Sequence, residues 1–106
     1  MNIEIEPVHI GQEDDIDVGS VENFEHEEID YAIFRLESGF FAIQGHCHCE
    51  DQAFLSESNV EGEELECASC GNTYSIVSGD PMSDLELPSL KMYDIIEEEG
   101  EIYLNL

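Results

Sequence analysis

Apolar and polar residues alternate with a period of two through most of the segments that have any regularity. In Ile3-Glu4-Ile5-Glu6 two isoleucines alternate with glutamates, which predicts a strand that Pro7 ends or confines to a sheet edge. The stretch Gly11-Gln12-Glu13-Asp14-Asp15 through Gly19 predicts a loop with one helical turn. Tyr31-Ala32-Ile33-Phe34-Arg35-Leu36 and Phe40-Phe41-Ala42-Ile43-Gln44 flank Glu37-Ser38-Gly39, and two β-rich runs around a glycine turn predict a hairpin. Leu90–Ile96 and Ile102–Leu106 flank Glu97-Glu98-Glu99-Gly100 and predict a second, with Ile102, Leu104 and Leu106 on one core-facing side. No long window keeps the helical period of about 3.6 residues. The pattern predicts an all-β, antiparallel fold.

Between the two hairpins the pattern breaks down. From His46 to Pro88 the chain is rich in Cys, Gly, Ser and Glu, and only Glu64–Cys67 and Thr73–Val77 read as short strands. An insert this poor in regular structure needs something besides apolar packing to fix it, and metal ligation would serve. With 106 residues, 42% of them hydrophobic, the chain is expected to form one domain, 1–106, with a metal-binding subdomain at 45–88.

Charge removes several classes of partner. There are 27 acidic residues against Arg35 and Lys91, a formal net charge of −25. Such a surface repels nucleic-acid phosphates and anionic membranes, so neither is an expected partner. Two readings of the acidity stand. It steers the chain toward a basic docking patch on a protein partner, or it adapts the surface to a halophilic, high-salt cytoplasm where self-repulsion is screened. The spread of acids along the whole chain favours the second. No apolar run approaches a membrane helix in length. Met1-Asn2-Ile3-Glu4 lacks the basic and apolar regions of a secretory signal, so a cytoplasmic protein is expected, and separately a monomer.

The four cysteines fall as Cys47-His48-Cys49, a gap of seventeen residues, and Cys67-Ala68-Ser69-Cys70. Without a secretion signal, such placement points to metal or redox chemistry before disulfides, although Cys47–Cys67 and Cys49–Cys70 pairs are topologically open. Four thiolates from two loops can close a tetrahedral site around one Zn2+ or hold the two irons of a [2Fe–2S] cluster, and the spacing alone does not separate these.

The order of segments narrows the choice. Phe40-Phe41-Ala42-Ile43 leads into Cys47-x-Cys49. Leu55-Ser56 and Val60-Glu61-Gly62-Glu63-Glu64-Leu65-Glu66 lead to Cys67-x-x-Cys70-Gly71. Tyr74-Ser75-Ile76 with Ser78-Gly79, then Pro88-Ser89-Leu90-Lys91-Met92-Tyr93, complete the series. This ordered set resembles the Rieske-type ferredoxins, whose pattern is Cys-x-His followed by Cys-x-x-His-Gly, and the likeness runs from about Ile3 to Leu106. It implies a Rieske-like antiparallel β-sandwich with a loop-rich metal-binding subdomain, a [2Fe–2S] cofactor, and a small electron-transfer protein between a reductase and an oxygenase or other oxidoreductase.

The departure carries as much weight. The family's two histidine positions hold Cys49 and Cys70. Carried over by the resemblance, Cys47 and Cys67 hold the inner iron while Cys49 and Cys70 hold the outer one. Two neutral imidazoles become two thiolates, which favours the oxidised state and lowers the potential. Loss of the imidazoles also removes the groups that titrate with oxidation. His46 and His48 flank Cys47 and are expected as exposed loop residues near the site. With Gly71 and Pro88 they form the candidate surroundings of the ligands. His9 and His26 receive no role, and Phe54, Leu55, Pro81, Met82 and Pro88 are read as packing around the site. No nucleophile, base and orienter cluster together, so no turnover of an organic substrate is expected. The alternative function is a zinc-stapled interaction module without redox activity.

Overall fold

The computed structural model describes residues 7–105, so the strand predicted at Ile3–Glu6 and the position of Leu106 lie outside the described residues. The strands are β1 (Val8–Gln12), β2 (Ser20–His26), β3 (Ile29–Leu36), β4 (Gly39–Gln44), β5 (Asn59–Glu61), β6 (Glu64–Glu66), β7 (Thr73–Ser75), β8 (Met92–Glu98) and β9 (Glu101–Asn105). Six of them form one antiparallel sheet in the order β1-β9-β8-β4-β3-β2, and β5-β6-β7 form a second. Both predicted hairpins are present, β3–β4 and β8–β9. The pairing of Ala42 with Tyr93 and Ile43 with Met92 joins them into a single sheet.

Alternation along β3 explains why this sheet has two buried faces. Ala32, Phe34 and Leu36 enter one apolar cluster, Tyr31 and Ile33 the other. The first cluster adds Ile43, Leu55, Leu65, Tyr74, Ile76 and Leu90, and it fills the space between the large sheet and the small one. The second gathers Ile16, Phe40, Ala42, Ile102 and Leu104 on the opposite side, so Ile102 and Leu104 face the core as their alternation predicts. Full burial of a side chain of this size contributes roughly 1.5–3 kcal/mol.

Three stretches depart from the sequence pattern, one of them β5 at Asn59–Glu61, a strand the insert was not expected to hold and which pairs with β6. β1 continues through Gly11 and Gln12 into the segment expected as loop, and the expected helical turn follows at Glu13–Asp15. This turn is anchored by Arg35, whose guanidinium donates to the carbonyls of Glu13 (2.8 Å) and Ile16 (2.9 Å) and lies 5.2 Å from the Phe40 ring centroid. β2 was not visible in the pattern. Its apolar residues Val21 and Phe24 are not at period two, yet all seven residues pair with β3. The connection from β2 to β3 is two residues long, and Glu27 (φ 51°) and Glu28 (φ 67°) are both left-handed.

Candidate metal centre

The first knuckle begins where β4 stops. Gly45 is buried, and a Cβ there would stand 2.5 Å from the Asp30 backbone carbonyl, so only glycine lets the chain pass. Its N–H donates to that carbonyl (3.0 Å), and its own carbonyl accepts from Leu55 (2.8 Å). Within the loop the Cys47 N–H donates to Ala53 and the Gln52 N–H to Cys49, both at 2.9 Å. The second knuckle follows β6. Gly71, at φ 74°, donates to the Cys67 carbonyl (3.0 Å), and the Cys67 N–H donates to the Asn72 carbonyl (2.9 Å). Each reversal holds a cysteine at either end, and β7 carries the chain away.

These two loops bring the four thiols together. All four Sγ atoms lie within 4.8 Å of one another, and Cys47 and Cys70 are 3.6 Å apart. Their exposure is graded: Cys47 (3%) and Cys67 (2%) are buried in the inter-sheet cluster, Cys49 is half-buried, and Cys70 is exposed. Burial pushes the Cys47 thiol well up, whereas the Ala53 backbone N–H beside Cys49 draws that thiol down to about 7. Tyr74 packs in the same cluster, and burial, followed by the charge of Cys47 and the other thiols, raises its phenol to about 12.

The histidines are placed otherwise than as ligands. His46 Nδ1 meets the Gln52 carbonyl at 2.8 Å and Nε2 meets the Asp30 carboxylate at 3.0 Å, with the ring tilted on Phe54 at 4.5 Å. Both partners only accept, so satisfying both requires both nitrogens to be protonated. The Gln52 carbonyl first, then Asp30, raises the His46 pKa; the Asn23 amide first, then His46, lowers that of Asp30. His46 is therefore a half-buried clasp between the first knuckle and β3, not a free loop residue. His48 is exposed, with Nε2 3.4 Å from the Ser89 carbonyl and 3.5 Å from the Gln44 amide. Leu55 and Pro81 are buried as expected of packing residues, but Phe54, Met82 and Pro88 are exposed. Three contacts were not foreseen: Asp30 on His46, Ser69 donating to Asp51 across the two knuckles, and the Asn72 amide on Cys70. Their partners are distant in sequence or ordinary polar types, so spacing gave no signal.

Residues 6–94 match the Rieske [2Fe-2S] domain family. The chain belongs to that family. It is 29% identical over 73 residues to ferredoxin CarAc of Metapseudomonas resinovorans, covering 69% of this chain and 67% of that one. Its fold is similar to that in a solved complex of reduced oxygenase and oxidized ferredoxin in carbazole 1,9a-dioxygenase (TM-score 0.85, 23% identity, 92% and 91% of the two chains). It is also similar to the ferredoxin of carbazole 1,9a-dioxygenase from Nocardioides aromaticivorans IC177 (TM-score 0.84, 21% identity, 93% and 96%). The first and last of these are named as ferredoxins, and the complex contains one.

The residues present suit an iron–sulfur group in kind: four thiols, two of them in an apolar layer that excludes water. Their spacing is compact. A single ion with sulfur bonds of about 2.3 Å sets tetrahedral edges of about 3.8 Å, a spacing close to that of these four sulfurs.

Proposed function

We propose that this Rieske-family chain is a one-electron carrier with a [2Fe–2S] cluster held by Cys47, Cys49, Cys67 and Cys70. The observation that carries it is the convergence of four thiols from two knuckles in a chain of this family. When bound, the cluster accepts and releases one electron. The protein's part is to bury Cys47 and Cys67 against the inter-sheet core while Cys70 faces solvent on the side open to a partner. Cys49 and Cys70 stand at the family's histidine positions, so ligation is all-cysteine and the potential low. Histidine-ligated clusters span roughly −150 to +300 mV, against about −400 mV for plant-type all-cysteine ones.

Residues 1–106 form a single domain in this reading, with 45–88 as the metal-binding part. Partners are a reductase and an oxygenase or other oxidoreductase presenting a basic patch to the acidic surface, and the carrier works as a cytoplasmic monomer. Adaptation to a high-salt cytoplasm accounts for acids spread far beyond any one docking face.

Protein purified without air is expected to contain two irons and two sulfides per chain, with a plant-type EPR signal on reduction. A colourless protein holding one zinc would falsify the carrier reading. Converting Cys49→His and Cys70→His together should raise the midpoint potential by roughly 100 mV or more, on the scale separating the two ligand classes. An unchanged potential would remove these two residues from the ligand set. A second reading, a zinc-stapled interaction module, is favoured only by the compact spacing of the sulfurs. The metal and sulfide count decides between them.

A further inference from the structure

Among the four thiols, Cys70 is the exposed one, and it has a polar neighbour aimed at its sulfur. The Asn72 Nδ2 group stands 3.3 Å from Cys70 Sγ. An amide can present either end to a neighbour, so its orientation has to be fixed by something else. Ser83 fixes it here. The Thr73 backbone N–H donates to Ser83 Oγ (3.0 Å), which spends one lone pair and leaves the hydroxyl proton free to donate to Asn72 Oδ1 (3.4 Å). With Oδ1 committed to Ser83, the NH2 end faces the sulfur.

Ser83 does not belong to either knuckle. It sits on the strap after β7, which turns back along that strand: Met82 donates to the Thr73 carbonyl (2.8 Å), and Tyr74 bridges to Pro81. The strap then rejoins the sheet where Leu90 donates to Gly79 (2.8 Å) and Lys91 donates to the Gln44 side chain (2.8 Å). The strap thus reaches the exposed ligand through one serine and one asparagine.

We propose that Asn72, oriented by Ser83, is a positioning residue that raises the potential of the metal site by donating a hydrogen bond to Cys70 Sγ. This rests on the iron–sulfur reading given above. A donor to a ligand sulfur withdraws electron density from it and stabilises the reduced, more negative state, and hydrogen bonds to sulfur are among the recognised controls of cluster potential. The bond opposes, at the outermost ligand, the lowering that two extra thiolates impose. It also makes the potential depend on where the strap lies, since displacing Ser83 frees the amide to turn away.

The test is redox titration of the loaded full-length protein, with iron and sulfide counted in every sample. Asn72→Leu keeps a side chain of similar size and removes the donor. It should shift the oxidised-to-reduced ratio at a fixed applied potential by about threefold to tenfold toward oxidised. Ser83→Ala should shift it in the same direction by less, and should add nothing in the Asn72→Leu background. A role for Asn72 in stability alone would lower the melting temperature and leave the ratio unmoved. An unchanged ratio in Asn72→Leu with full iron content overturns this proposal and leaves the carrier reading intact. Additive effects of the two substitutions overturn the part assigned to Ser83. Wild-type protein without iron overturns both this proposal and the carrier reading.

Discussion

His46 shows how one side chain ties the metal loop to the sheet. With Gln52 and Asp30 both accepting, the bridge is complete only while the imidazole is charged. The sign of its pH dependence follows from the two shifts. The His46 pKa is raised in the folded chain, so its contribution is full below the unfolded value of about 6.5 and is lost as pH rises through the folded value. The Asp30 pKa is lowered, so its contribution is present above the unfolded value of about 3.9 and is lost as pH falls through the folded one. The clasp is therefore strongest between about pH 4 and 6.5. Urea unfolding of wild-type and His46→Gln at matched metal content should show the largest difference in midpoint inside that window, narrowing above it. A difference that does not vary with pH would show that His46 acts by packing on Phe54 alone. At Gly45 the constraint is steric: Gly45→Ala drives a methyl into the Asp30 backbone, and thermal melting should show a loss of about 1–3 kcal/mol.

The hairpin turns carry an avoidable cost. Glu27 and Glu28 are both left-handed in a two-residue connection of the kind that favours Asn-Gly. The β8–β9 turn meets the same demand with Glu99 and Gly100, at φ 52° and 81°. Replacing Glu27-Glu28 by Asn-Gly should stabilise the chain by about 1 kcal/mol, read as a higher urea midpoint with an unchanged slope. The same turn shows what the sequence could and could not reveal. β3, β4, β8 and β9 were legible because their apolar residues repeat in dense β-rich runs around glycine turns. β2 was not, because Val21 and Phe24 share it with Glu22, Asn23 and Glu25, and its strand character comes from pairing with β3. The four cysteines were legible as a group from spacing and order. The grading of their exposure was not, since it depends on which of them the inter-sheet core happens to cover.

At the scale of the whole molecule, charge is barely compensated. Arg35 is spent on the carbonyls of Glu13 and Ile16, and Lys91 lies 5.3 Å over the Tyr93 ring. The carboxylate contacts within 4.0 Å of a basic side chain among the described residues all use histidine, His9 with Glu101, His26 with Glu27 and His46 with Asp30, and are ionic only where the imidazole is protonated. A net charge of −25 therefore acts mostly as self-repulsion. Since the screening length falls from about 10 Å at 0.1 M salt to about 3 Å at 1 M, thermal stability should climb over that range. A melting temperature already at its maximum in low salt would count against high-salt adaptation and in favour of partner steering.

The unequal cover of the four thiols gives the centre a fixed order of wear. An alkylating reagent, a peroxide or a chelator arriving from solvent meets Cys70 first and Cys49 next, while Cys47 and Cys67 sit behind Leu55, Leu65 and Tyr74. Damage thus begins at the rim. Because the two buried cysteines come one from each knuckle, each loop keeps one covered thiol when its outer one is modified.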